Sequence, residues 1–319
     1  MEVRKKLRRI DYSKLAPFVA LVILVVISAA GSEHFRKTRN LLNVLRQVSY
    51  TGVIALGMTF VIIAGGIDLS VGSAVALSGA VGLMAVNYCG QGPWAVVAGI
   101  AVGLAVGALC GLVNGVLVTL GKVAPFIATL GTMSIYRSLT LYMCEAGEVR
   151  AQNEGLRAIG AGMLLGVPVP VWIFLLLAAV LHVMLTRTRY GRYVFAVGAN
   201  ETVALYSAIK VRLVKALTYV LTGLTVGVSA LLMASRLNSV SSSSAGHYYE
   251  LDAIAAVVIG GTVMSGGEGT IYGTVIGAVI LGIISNMLNM MDVSTYLQGT
   301  VRGAVIIGAV LLQYKKKSE

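Results

Sequence analysis

Of 319 residues, only 12% are charged and 57% are hydrophobic, with a mean hydropathy of +0.86. That is too little charge to cover a soluble domain of this length, so a water-soluble globular protein is excluded. The net charge of +12 is divided among separate segments without interleaved aromatics, which excludes an extended nucleic-acid surface.

The chain reads as an all-α polytopic membrane protein. A helix of roughly 20 apolar residues crosses a bilayer core of ~30 Å with its backbone internally bonded. About ten candidate spans follow in order, near 15–31, 47–64, 70–88, 94–120, 124–143, 167–185, 216–234, 251–265, 271–288 and 298–313. An even count puts both termini on one side. Residues 1–14 and 314–319 are basic, and so is the loop Thr186–Lys215, with Arg187, Arg189, Arg192, Lys210, Arg212 and Lys215 against Glu201. The excess of Lys and Arg makes these segments cytoplasmic. Residues 144–166 and the Ser-rich 235–250 fall on the opposite side. Residues 33–47 break the pattern with Arg36, Lys37, Arg39 and Arg46, and their apolar spacing predicts an amphipathic helix along the interface. Ser28-Ala29-Ala30 before Gly31 also mimics a signal-peptide cleavage site. Cleavage would leave nine spans; the uncleaved reading keeps the charge pattern coherent.

Between the second and third apolar runs the chain reads GGIDLSVGS, residues 65–73. Gly65 and Gly66 interrupt a helix, and Asp68 is placed to cap the next one. The stretch is either a short cytoplasmic turn or a half-helix end beside a pathway. In the fourth run Gly99, Gly103, Gly107, Gly111 and Gly115 recur every fourth residue. Such a stripe lets helix backbones approach closely in lipid. It predicts packing inside the subunit, ahead of a subunit contact or a pathway wall. A straight helix from Trp94 to Leu120 exceeds the bilayer core, which predicts a tilt, or a bend near Asn114-Gly115. Asp68, Ser70, Asn114, Thr129 and Thr132 are the candidate pathway or gate residues, although interhelical hydrogen bonds are the simpler role for the last three. Arg137 and Arg302 lie inside apolar runs and must face protein, water or an interface. Residues 260–270, GGTVMSGGEGT, form a second glycine break beside Glu268.

No catalytic or metal-binding arrangement is present: Cys89, Cys110 and Cys144 form no CxxC, and His34, His182 and His247 are scattered. No phosphate-loop motif occurs, so ATP-driven transport would need another chain to bind the nucleotide. In the central loop, Gly198 or Asn200 can start a short helix with Glu201 in its first turn. Its apolar residues suit docking on a cytoplasmic partner; the plainer alternative is a solvated basic loop.

Three stretches carry a specific resemblance: LGMTFVIIAGGIDLSVGSAVALSGA at 56–80, GRYVFAVGANETVALYSAIKV at 191–211, and the C-terminal run 249–306. Together with Asn114 in GLVNG and Thr129-Leu130-Gly131-Thr132, they resemble the permease subunit of ribose-, xylose-, arabinose- and galactose-type ABC importers, over about residues 40–313. The resemblance implies an ABC importer permease fold of about ten helices, with residues 15–313 as a single permease domain between basic cytoplasmic tails. It implies a permease dimer in the inner membrane, a cytoplasmic ABC ATPase and an extracytoplasmic sugar-binding protein. ATP and Mg would sit on the ATPase, this chain binding no cofactor. The matching positions make Gly198, Asn200, Glu201, Ser207 and Ala208 the ATPase-coupling residues. Two departures stand out: Ser207-Ala208-Ile209 replaces the Ser-Gly-Ile common in the family, and Glu268 replaces a small or basic residue. The expected function is import of a pentose or hexose by alternating access. The alternatives are a nucleoside, a furanosyl signalling molecule, a branched-chain amino acid, or an ion-coupled transporter.

Overall fold

The computed structural model describes residues 12–294, 297–301, 303–305, 307, 308 and 311. The basic termini 1–11 and 312–319, and Arg302 in the last apolar run, lie outside the described residues. In chain order come α1 (Tyr12–Gly31), α2 (Glu33–Arg36), α3 (Thr38–Ile63), α4 (Val71–Cys89), α5 (Pro93–Thr119) and α6 (Pro125–Met143). After β1 (Glu148–Arg150) follow α7 (Arg157–Ala161), β2 (Met163–Leu164), β3 (Val167–Pro168), α8 (Val169–Arg187), α9 (Arg189–Ala199) and α10 (Glu201–Tyr206). Then come α11 (Val211–Leu237), β4 (Ser239–Ser241), α12 (Tyr249–Ile259) and α13 (Ile271–Met290). The described residues from 297 to 311 are also helical.

Six of these helices, α3, α4, α5, α8, α11 and α13, are long and apolar enough to cross a bilayer. The expected count of ten is therefore not reached by length and composition alone. The run at 251–265 departs most clearly. Its helix α12 has 11 residues, only about 16 Å of rise, and is a half-helix. The irregular segment before it would strand carbonyl oxygens among apolar helices. Arg137 of α6 meets that need, donating from Nη1 to the Ser242 carbonyl and from Nη2 to the Ala245 carbonyl, each at 2.9 Å. An arginine costly in lipid thus pairs with backbone that lipid could not solvate.

The expected interfacial helix over 33–47 is not a separate element. α2 ends at Arg36, and residues 38–47 run straight into α3. Phe35 and Val44 are buried while Leu41 and Leu45 are exposed, so only part of the apolar spacing there marks a face turned to protein.

α3, α4, α5 and α11 form the central pack. The glycine stripe of α5 lies wholly within it. A Cβ at Gly107 would meet Gly223 and Gly227 of α11, one at Gly111 would meet Tyr219 and Gly223, and one at Gly99 would meet Val86 and Gly82 of α4. α5 runs unbroken through Asn114-Gly115, so the length is not relieved by a bend that ends the helix. α12 and α13 use the same device, with Gly260 against Gly273 and Gly277. Buried hydroxyls and half-buried amides add interhelical bonds: Thr59 to Thr274 at 2.7 Å, Asn40 and Asn286 reciprocally at 3.0 and 2.9 Å, and Ser229 to the Tyr50 carbonyl at 2.8 Å. At one end β1 and β4 pair antiparallel, with Val149 opposite Val240, tying together two loops far apart in sequence.

Candidate functional site

The GG break separates α3 from α4. α3 ends at Ile63, Gly65 takes φ +78°, and α4 begins at Val71. Only glycine holds that backbone without steric cost. Asp68 does not cap α4; the cap position is Ser70, whose side chain makes no cap bond. Instead Asp68 Oδ1 accepts from the Ser70 backbone N–H at 2.9 Å and from the Ser70 hydroxyl at 2.7 Å.

That turn is locked to two other helices. Asn114 Nδ2 of α5 donates to Asp68 Oδ1 at 3.2 Å, to Asp68 Oδ2 at 3.1 Å and to Ser70 Oγ at 2.8 Å. Its Oδ1 accepts from the Thr132 hydroxyl of α6 at 2.7 Å. All four side chains are buried. Asp68 is the acceptor in each of these bonds. Four of the five gate candidates therefore meet in one knot. Thr129 does not join it through its side chain. Its hydroxyl bonds back to the Pro125 carbonyl at 2.8 Å, and only its carbonyl reaches the knot, accepting from Thr132 at 3.2 Å.

On the other side of the break lies the central loop, which is mostly helical. Thr188 caps α9, accepting from the Gly191 N–H at 3.2 Å. Asn200 caps α10, accepting from the Val203 N–H at 3.0 Å. Glu201 in the first turn pairs with Lys215 of α11 at 2.5 Å. Ala204 is buried, while Val203, Leu205 and Tyr206 are 58%, 62% and 85% exposed. After Ser207, Ala208 takes φ +59°, the left-handed region glycine prefers. This gives the departure from Ser-Gly-Ile a local meaning: the backbone keeps the glycine conformation without the glycine.

Gly198 sits where α9 touches the break. A Cβ there would overlap the Ile63 carbonyl oxygen and come within 2.6 Å of Gly267 N. Gly267 N–H donates to that same Ile63 carbonyl at 2.9 Å. The three resemblance-bearing stretches thus converge on one backbone junction of Ile63, Gly198 and Gly267. Tyr219 of α11 completes it, donating to the Ile67 carbonyl at 3.2 Å. Sequence reasoning missed Ile63, Gly267, Tyr219 and Lys215. The glycines of 260–267 were the available signal; a carbonyl acceptor leaves none. The junction is tightly packed, the crevice beside Gly65 and Gly66 holding only 10 Å³, about one water.

A bundle with six helices long and apolar enough to cross a bilayer is the architecture of a polytopic membrane protein. Residues 40–310 match the family described as "Branched-chain amino acid transport system / permease component". The chain is 47% identical over 307 residues to the Ribose import permease protein RbsC of Bacillus subtilis (strain 168), covering 96% of this chain and 94% of the relative. It is 37% identical to the D-allose transport system permease protein AlsC of Escherichia coli (strain K12), covering 92% and 89%, and 33% identical to the Xylose transport system permease protein XylH of the same strain, covering 95% and 91%. No solved structure matches. The chain belongs to this permease family, among the permeases of sugar ABC importers, and is a transport component, not an enzyme.

Proposed function

We propose that this chain is the membrane-spanning subunit of an ATP-driven importer that carries a monosaccharide inward, with D-ribose the first substrate to test. The observation that carries the reading is the Ile63–Gly198–Gly267 junction. It joins α9, which leads through Asn200 into the short capped helix α10 with its exposed apolar residues, to the break that holds Asp68. A push on α10 has a direct backbone route to the helices of the central pack. In this reading Gly198, Asn200, Glu201, Ser207 and Ala208 form the docking segment for a cytoplasmic ABC ATPase, which holds ATP and Mg. This chain binds no cofactor of its own.

The α10 end is cytoplasmic and the β4 end faces outward, in the inner membrane, with both termini inside and residues 15–313 acting as one permease domain. A sugar-binding protein delivers solute at the β4 end, and a second permease copy completes the pathway. The contrast in packing suits an outward-facing form: 10 Å³ beside the break against a cavity of 480 Å³ at the β4 end. The ion-coupled alternative needs a mobile buried ionisable group. Asp68 is fully engaged with Ser70 and Asn114, which favours a structural part for it.

The test is affinity purification from the native membrane followed by reconstitution with the co-purifying chains in proteoliposomes. Recovery of a P-loop ATPase, and ATP-dependent uptake of labelled D-ribose, is the expected result. Repeated recovery without an ATPase, also after crosslinking before extraction, overturns it.

A further inference from the structure

Arg36, Lys37, Arg39 and Arg46 lie on the proposed outward side, against the bias that gathers Lys and Arg in cytoplasmic loops. The α2–α3 corner that carries the first three is fixed from beneath. Phe35 is buried in the core, Asn40 Nδ2 donates to the Phe35 carbonyl at 3.4 Å, and Asn40 exchanges two hydrogen bonds with Asn286 of α13. With Phe35 and Asn40 held by the protein, Arg36, Lys37 and Arg39 are left exposed. None of the three makes an ion pair among the described residues, and Glu33 is the one acid in the stretch 31–47. Arg46 is engaged elsewhere, its Nη2 lying 3.4 Å from Met163 Sδ.

The corner also stands at the level of lipid head groups. α1 has 20 residues, about 30 Å of rise, which matches a bilayer core of ~30 Å. Its Phe18, Val19, Val22, Ile23, Val26 and Ile27 are exposed, a face suited to lipid tails. The chain leaves that face at Gly31, and the basic residues follow directly. Around the same end Tyr88, Trp94 and Tyr142, at the outward ends of α4, α5 and α6, are largely exposed. Tyr and Trp in such positions gather at the membrane–water boundary.

We infer that Arg36, Lys37 and Arg39 form a binding surface for the phosphate groups of anionic phospholipids in the outer leaflet. The surface is independent of which solute is carried; only the choice of leaflet rests on the orientation in the importer reading. Charge and position select the ligand. Arg and Lys donate charge-assisted hydrogen bonds to phosphate oxygens, and a head group without its own cation keeps its full attraction. Leu41 and Leu45, exposed on the next turns of α3, extend an apolar surface below the charges. Phosphate above and acyl chain below is the order of a phospholipid. An acidic water-soluble protein would meet the charges but offers nothing to the leucines. Each basic residue near an anionic bilayer surface enriches such lipid about fivefold.

The test uses the full chain in proteoliposomes of phosphatidylglycerol and phosphatidylcholine in equal parts. Thr38→Cys, with Cys89→Ser and Cys144→Ser, carries a bimane label between Lys37 and Arg39, and one lipid at a time is supplied with brominated acyl chains as quencher. The label is expected to report phosphatidylglycerol enriched at least about tenfold over phosphatidylcholine, and raised salt to weaken that enrichment. Arg36→Gln, Lys37→Gln and Arg39→Gln together are expected to abolish it, whereas Arg36→Lys with Arg39→Lys keeps it. No enrichment in the parent protein, or the same enrichment in the glutamine variant, overturns the proposal. So does a label that neither lipid quenches, the result expected of a corner that docks an acidic protein in water. Reaction of the unlabelled Thr38→Cys protein with an impermeant maleimide from the cytoplasmic side alone overturns the outward placement, and with it the orientation in the importer reading, whether or not phosphatidylglycerol is enriched.

Discussion

Asn114 is one amide serving three helical segments. Its nitrogen satisfies both oxygens of a buried carboxylate, and its oxygen takes the Thr132 hydroxyl. Replacing it with leucine keeps apolar bulk but takes the donor from Asp68 Oδ2, Ser70 still serving Oδ1, and an unsatisfied buried acceptor costs up to about 3 kcal/mol. Asn114→Leu should therefore unfold several degrees earlier in detergent, whereas Thr132→Val, which removes one neutral hydrogen bond, should cost only about 1 kcal/mol. Equal losses in the two thermal melts would remove the carboxylate from this account. Ala208 poses the opposite case. Its φ of +59° strains an L-residue by about 1–2 kcal/mol, and glycine's greater freedom in the unfolded chain takes back part of the relief. Ala208→Gly should be neutral or stabilising in the same assay; a clear loss would show that the alanine methyl group makes a contact worth more than the strain.

At the scale of elements, glycine position decides tolerance. Gly111 faces the Tyr219 carbonyl and Gly223 across the α5–α11 contact, whereas a Cβ at Gly131 of α6 would meet nothing within 4 Å. Gly111→Leu should abolish recovery of folded protein from the membrane, while Gly131→Ala should express as wild type. Size-exclusion profiles of the two variants check this, and a folded Gly111→Leu would mean that α5 can part from α11. Gly198 tests the junction. Gly198→Ala forces α9 away from Ile63 and Gly267, so uptake per ATP hydrolysed should drop at least tenfold in proteoliposomes with the partner ATPase. Normal coupling in a correctly inserted variant would rule out this route. Both glycine breaks were visible as sequence; that they share one carbonyl acceptor was not, because the bond runs between residues 63 and 267 and has no local signature.

For the whole molecule, the proposed orientation makes a direct prediction. A cysteine at Tyr206, 85% exposed beside α10, should react with an impermeant maleimide only from the cytoplasmic side. One at Leu165, 85% exposed beside β2, should react only from outside. The reverse pattern would turn the molecule over and exchange the roles of its two ends. Hydropathy alone determined that this is a helical membrane protein, and glycine spacing marked which face of α5 is packed, because both are properties of neighbouring residues. Motif spacing also brought Asp68, Ser70, Asn114 and Thr132 forward as candidates. Only the tertiary structure decided that these four bond to one another while the Thr129 side chain stands apart, that residues 33–47 lead into a buried helix, and that residues 251–265 hold a half-helix backed by Arg137. The reason is physical. Apolar character and helical period are written along the chain, but the partner of a buried polar group is set by which helices approach, and that follows from packing across hundreds of residues.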